Sequence, residues 1–178
     1  RIEGSVHVFE TWDNNGVIKL GSQNYSIKNI NFNAFKNTIE SKIDEESVYA
    51  FDLKTNDVVY INNREFRNCF DPKKGMNRIF EVIAGDKDFQ LLKSYDIQVY
   101  MYQADPLMIR KKDGKYMTNK AYHINSNGNI SEVKLKKKSL LKAFGDKSKA
   151  IEKFIKSNKL SYKKEDDLKK IIDHFNSL

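Results

Sequence analysis

The chain has 178 residues, 39% hydrophobic and 12% aromatic, enough apolar side chain to pack a full core, which excludes a disordered polymer. No apolar run approaches the roughly 20 residues that cross a bilayer as a helix, and the single cysteine, Cys69, excludes an intrachain disulfide or a two-thiol metal knuckle. The net charge of +8 is segregated: residues 1–133 balance 18 Lys+Arg against 18 Asp+Glu, whereas residues 134–178 carry 14 Lys against 6 acids.

Residues 1–135 read as short strands separated by turns. Ser5–Trp12 alternates, with Val6 and Val8 on one side and His7 and Phe9 on the other. Asp13-Asn14-Asn15-Gly16 predicts a tight type I′ turn, because Asn-Gly accepts two positive φ values, with Val17–Leu20 as the return strand. Asn24–Phe35, Thr38–Ile43, Val48–Leu53, Val58–Ile61, Glu65–Phe70, Arg78–Ala84, Phe89–Tyr95 and Ile97–Tyr102 repeat β-branched and aromatic residues at period two. Cys69, between Asn68 and Phe70 in this alternating stretch, reads as a small core residue. Two further hairpins are expected: Lys112-Asp113-Gly114-Lys115 joins Leu107–Arg110 to Tyr116–Tyr122, and Asn125–Asn129 joins Tyr122–Ile124 to Ile130–Leu135. Strand after strand joined by tight turns, with no long helix between, predicts an antiparallel meander that curls into a barrel or folds into a sandwich.

The pattern then changes period. Ser139 is a candidate N-cap for a helix carrying Leu140, Leu141 and Phe144 and stopped by Gly145. Asp146 is placed to cap a second helix, with Ala150/Phe154 and Ile151/Ile155 at the i,i+4 spacing of one face and Asn158 at its end. Ser161 opens a third, with Glu165, Asp166 and Asp167 near its positive end. Leu168, Ile171, Ile172, Phe175 and Leu178 form its apolar stripe, and Glu165→Lys169 and Asp166→Lys170 are expected to pair along the outside. The expected fold class is α+β: one domain, residues 1–178, with a β-rich body over 1–135 and two or three short helices over 136–178 docked on it.

The run KKGMNRIFEVIAGDKDFQLLKSY (73–95), followed by KKKSLLKAFGDKSKAIEKFIKSNKLSYKKEDDLKKIIDHFNSL (136–178), resembles an uncharacterised family of exported proteins from Bacteroidota-type bacteria. The likeness extends from about residue 25 to the end, and its most specific part is the Lys-rich helical tail. It implies a periplasmic or secreted protein whose signal peptide has been removed, in keeping with a chain that opens at Arg1 and is expected to be a processed or truncated product. It implies no activity and carries over no functional residue.

Familiar chemistry is mostly excluded by spacing. Gly145-Asp146-Lys147-Ser148 resembles the end of a phosphate-binding loop, but Asp146 stands between Gly and Lys and would repel a phosphate. His7, His123 and His174 are far apart with no paired spacing, and Asp13-Asn14-Asn15-Gly16 lacks the glutamate that completes a calcium loop, Asn24 standing there. No GxSxG or other nucleophile signature occurs, so no catalytic, cofactor-binding or metal-binding residue is assigned and no cofactor is expected. The remaining feature is charge. Lys134, Lys136, Lys137, Lys138 and Lys142 form the candidate anion-binding face. Arg is absent from residues 111–178, which removes bidentate base and phosphate recognition, and Phe144, Phe154 and Phe175 fall on apolar stripes rather than on stacking surfaces. The expected function is therefore a non-catalytic exported binding or structural module that associates with lipid headgroups or acidic polysaccharide. A cytoplasmic nucleic-acid-associated protein and, behind it, a small hydrolase are the alternatives.

Overall fold

A computed structural model describes residues 1–107, 109 and 113–178. Twelve strands are assigned among them: β1 (Ile2–Glu3), β2 (Asn15–Leu20), β3 (Gln23–Lys28), β4 (Ile30–Asn33), β5 (Thr38–Lys42), β6 (Val48–Phe51), β7 (Val58–Ile61), β8 (Arg64–Asp71), β9 (Met76–Gly85), β10 (Phe89–Met101), β11 (Gly114–Ser126) and β12 (Asn129–Val133). Three short helices follow, α1 (Lys137–Ala143), α2 (Ser148–Ser157) and α3 (Glu165–Ser177), with a 3₁₀ turn over Gly145–Lys147. The protein is β-rich with a helical C-terminal segment, as an α+β fold requires. The larger, nine-stranded sheet ends in β1 and β3, which do not pair with each other, so it is open rather than closed into a barrel. It is also mixed, because β1 runs parallel to β11. The chain divides into two compact units, Arg1–Asn68 with Tyr95–Lys120, and Cys69–Ser94 with Ala121–Leu178.

In the first unit β2 lies between β3 and β7, and β7 continues antiparallel to β8. The Asn15-Gly16 pair, expected to turn, instead begins β2, with Gly16 opposite Ile27 on one side and Ile61 on the other. Backbone crowding explains the glycine: a Cβ there would meet the Tyr60 carbonyl oxygen at 2.8 Å and the Ile30 side chain at 2.9 Å. The turn sits further on, at Gly21-Ser22, where Gly21 has φ +61 and Leu20 faces Gln23. Ser5–Trp12 does not form the expected strand. It runs beside β4 through Val8 N–H to the Phe32 carbonyl (2.9 Å) and Ala34 N–H to the Val6 carbonyl (2.9 Å). The Asn31 side chain then occupies both the N–H and the carbonyl of Phe9, at 3.1 and 3.0 Å, and a ladder cannot continue past it. Strands β4, β5 and β6 make a separate three-stranded antiparallel sheet. The expected turn at Lys112–Lys115 and strand Leu107–Arg110 lie partly outside the described residues.

In the second unit β9 pairs antiparallel with β10, and β11 with β12 through a two-residue turn at Asn127-Gly128, φ +51 and +88, as the Asn-Gly signal requires. Here period-two alternation sorts two buried faces. Phe89, Leu91 and Ile124 join the cluster of Leu140, Phe144, Ile151, Ile155, Leu168, Ile171 and Ile172 from the helices. Leu92 instead packs with Cys69, Phe80 and Ile130, so Cys69 is a buried core residue. The helical stripes follow from sequence spacing, and Phe175 packs on Phe89 at 4.1 Å between ring centroids. The stripe ends before Leu178, which is exposed.

Gly145, with φ +59, ends α1, and the Asn158 side chain donates to the Phe154 carbonyl at 2.9 Å at the end of α2. The helix starts differ from expectation. Ser139 lies within α1, which begins after Lys136; α2 begins after Lys147 rather than Asp146; α3 begins after Lys164, four residues beyond Ser161. None of these three N-cap residues makes a side-chain capping bond. Ser161 keeps a local role ahead of α3, its Oγ accepting from the Lys163 N–H at 3.1 Å and its own N–H donating to Asp167 Oδ2 at 2.9 Å.

Candidate anion-binding surface

The second unit carries 19 Lys+Arg against 11 Asp+Glu, a net charge of +8, while the first balances 13 against 13. All five candidate lysines are exposed and belong to the second unit, between the end of β12 and the last turn of α1. They do not act as one patch. Lys137 turns toward α2, where its Nζ lies 2.5 Å from Glu152 Oε1, a carboxylate that Lys156 also approaches at 3.3 Å. That hydrogen bond holds the Lys137 ammonium above, and the Glu152 carboxyl below, its ordinary pKa. Lys134 and Lys142 instead line a cleft of about 530 Å³ between β11, β12 and α1. Ile124, Val133 and Ala143 contribute apolar lining, and Ser126, Ser131 and Ser139 line it as well. Lys136 and Lys138 are not part of it.

One acid, Glu132, also lines this cleft. Lys73 answers it at 2.8 Å, and this hydrogen bond keeps the Glu132 carboxyl below its usual range. With Lys73 paired to Glu132, Lys134 and Lys142 leave a net positive lining in a cleft with hydroxyl side chains, which can both donate and accept. Such a lining suits a phosphate or carboxylate attached to a small apolar body. A second basic strip, Lys149, Lys153 and Lys156, follows one face of α2 around a smaller cleft of about 280 Å³ that Glu152 also lines. The i, i+4, i+7 spacing puts these three ammonium groups on one side of the helix.

A buried polar cluster in the second unit was invisible to local spacing. Ser94 Oγ lies 2.9 Å from His123 Nε2, and Arg78 donates to Asp71 at 3.1 Å. His123 packs edge-on against Phe80 at 5.1 Å, and Asn125 donates to Gln90 at 3.1 Å. The Ser–His distance would suit a nucleophile and its base. Ser94 and His123 are 1% and 5% exposed, however, and a sealed hydroxyl meets no dissolved substrate. Burial is the main influence on His123 and lowers its pKa. A histidine so depressed adds stability that is complete above its ordinary value of 6.5 and drains as the pH falls, because the unfolded chain takes up the proton first. The melting temperature should therefore drop between pH 7.5 and 5.5, and His123→Gln should flatten that dependence in calorimetry. An unchanged slope in the variant would assign the effect to other groups.

Among its described residues the first unit holds a comparable cluster. Glu40, buried, accepts from Asn33 (3.1 Å) and Thr38 (3.0 Å) and lies 2.9 Å from His7 Nε2. The His7 ring rests edge-on against Trp12 at 4.7 Å. A cleft of about 530 Å³ in the same unit is lined by Asn15, Asn62, Asn63, Lys28 and Tyr60 among others, amide-rich and with a single cation. Among the described residues no group of three or more His, Cys, Asp or Glu side chains is placed to hold a metal ion, and no helix is long and apolar enough to cross a membrane. No family model, no curated protein and no solved structure matches the chain.

Proposed function

We propose that the protein is a non-catalytic binding module, exported from a bacterial cell, that associates through its basic helical segment with an anionic surface of lipid headgroups or acidic polysaccharide. The observation that carries this reading is the cleft flanked by Lys134 and Lys142, in the unit that holds the whole net charge. Further exposed lysines on α1 and α2 belong to the same unit and supply long-range attraction, which salt screens over about 8 Å at physiological ionic strength. The exported location rests on the resemblance of the Lys-rich tail alone.

Vesicle co-sedimentation tests the reading. Binding to vesicles with anionic headgroups should exceed binding to neutral ones and should weaken steeply between low and physiological salt. Replacing Lys134 and Lys142 together by Gln should cost roughly 30-fold in affinity, at about 1 kcal/mol for each near-surface lysine. Soluble acidic polysaccharide and duplex DNA are parallel arms. Preference for DNA would make the partner a nucleic acid, and absence of binding to every anionic probe at low salt would overturn the proposal.

A further inference from the structure

Among the described residues strand β6 is paired on one side only: β5 lies against it, and it is the last strand of the β4-β5-β6 sheet. Its sequence, Val-Tyr-Ala-Phe, contains neither a charge nor a proline, the devices that ordinarily blunt a sheet edge. The register settles which side chains share a face. Phe51 stands opposite Ile39, which is fully buried, and Tyr49 opposite Ser41. Tyr49 and Phe51 therefore extend the core face of this sheet past its last strand, and their rings meet edge-on at 5.0 Å. Tyr49 nonetheless remains 55% exposed, and Val48, on the opposite face, 45%. An apolar strip beside an open backbone edge is a template for one more strand.

We infer that β6 pairs antiparallel with β6 of a second copy of the chain, joining two three-stranded sheets into one of six about a two-fold axis at Ala50. Symmetry and chemistry fix the register together. A two-fold antiparallel ladder must set one residue opposite its own mate, since an offset by one residue would turn outward N–H groups toward inward ones. Centred on Ala50, the smallest side chain of the strand faces itself. Tyr49 then stands opposite Phe51 of the second copy, and Phe51 opposite its Tyr49, so four rings cover the exposed strip. Beyond the strand ends, the same register brings the exposed Lys54 toward the acidic flank Asp44-Glu45-Glu46 of the second copy at both ends, an attraction that Asp52 beside it offsets in part. Centring on Tyr49 would leave a single Tyr49–Tyr49 pair and set each Phe51 opposite Ser47. The unit that carries β6 is electrically balanced, 13 cations against 13 anions, so net charge does not oppose pairing there.

Sedimentation equilibrium of the full chain, with an Ala50→Cys variant under mild oxidation, tests the inference. A dimer is expected, and Ala50→Cys should crosslink it, because facing residues in an antiparallel pair bring their Cα atoms within about 4.5–5.5 Å, inside disulfide reach. The wild type serves as control, since its only thiol, Cys69, is buried. Tyr49→Lys, at an exposed position that leaves the fold intact by circular dichroism, should raise the dimer dissociation constant at least about tenfold, the effect of 1.4 kcal/mol. Glu46→Lys and Lys54→Glu should each weaken the dimer and together restore it. A chain that stays monomeric up to about 1 mM, where only the weakest association escapes detection, overturns the inference. So does a dimer indifferent to Tyr49→Lys, or one that Ala50→Cys does not crosslink.

Discussion

Asp71→Ala should destabilise the protein by about 3–5 kcal/mol, the cost of removing one partner from a buried ion pair. The Asp71 and Arg78 side chains are only 4% and 9% exposed. Asp71 has two tasks. Its Oδ2 accepts from Arg78 Nη1 at 3.1 Å, and its Oδ1 accepts from the Lys73 amide at 2.9 Å, shaping the turn whose Gly75 N–H reaches back to the Asp71 carbonyl at 2.8 Å. Burial by itself would push the Asp71 carboxyl up, but the Arg78 hydrogen bond and the turn amides outweigh it and hold the group below its ordinary value. A carboxylate depressed in this way adds stability that is present above pH 3.8 and lost as the pH falls through its folded value. Urea unfolding should show Asp71→Asn, which keeps an acceptor for the turn but not the charge, between wild type and Asp71→Ala. Equal losses in the two variants would assign the whole effect to the ion pair, and a loss under about 1 kcal/mol in both would show that Arg78 finds other satisfaction.

Glu165→Ala ranks second, at about 2–3 kcal/mol. Glu165 opens α3, and its Oε1 accepts from Lys93 Nζ at 2.6 Å and from Tyr122 Oη at 2.5 Å, so one carboxylate ties the helix to β10 and β11. Lys93 is 9% exposed, so removing Glu165 takes a carboxylate from a largely buried ammonium, with Glu81 opposite it on the β9–β10 ladder. Burial favours the neutral carboxyl, yet the Lys93 and Tyr122 hydrogen bonds prevail and lower the Glu165 pKa. Burial and the adjoining carboxylate push the Tyr122 phenol up, so it remains a donor throughout the physiological range. The contribution of Glu165 is thus intact at neutral pH and fades under acid. Tyr122→Phe should cost about 1 kcal/mol, the worth of one hydrogen bond. A Lys93→Met, Glu165→Leu double variant should recover much of the single loss, because no unpaired charge stays behind. Denaturant midpoints for the set measure the coupling, and additive losses would exclude it.

The strands and helices were legible where one physical rule acts alone. Period-two alternation located β5 to β9 and β12 to within a few residues, and the i,i+3,i+4 spacing of Leu168, Ile171 and Ile172 located the buried face of α3. Errors arose where a tertiary neighbour overrode a local preference. Asn31 intercepts the backbone of Phe9 from 22 residues away, and Gly16 serves a close approach of Tyr60 rather than a turn. The pairing of Glu165 with Lys169, expected from helix spacing, yields to Lys93, 72 residues distant, because a partly buried carboxylate gains more from a desolvated partner. Of the five candidate lysines, sequence could mark the cluster but not separate the two that line a cleft from the one bound to Glu152. The Ser94, His123, Asp71 and Arg78 cluster joins four strands and has no local signature at all.

The two Asn-Gly pairs of the chain, identical in sequence, are built to age at different rates. Loss of ammonia from Asn ahead of Gly requires the glycine amide nitrogen to swing onto the preceding side-chain carbonyl. At Asn15-Gly16 the backbone is clamped between β3 and β7, and Gly16 is buried. At Asn127-Gly128 both residues are exposed at the tip of a turn, with open space around Gly128. Chemical wear, and the negative charge it leaves, therefore falls on the turn in the unit that carries the net positive charge, and the folded state itself protects the other site.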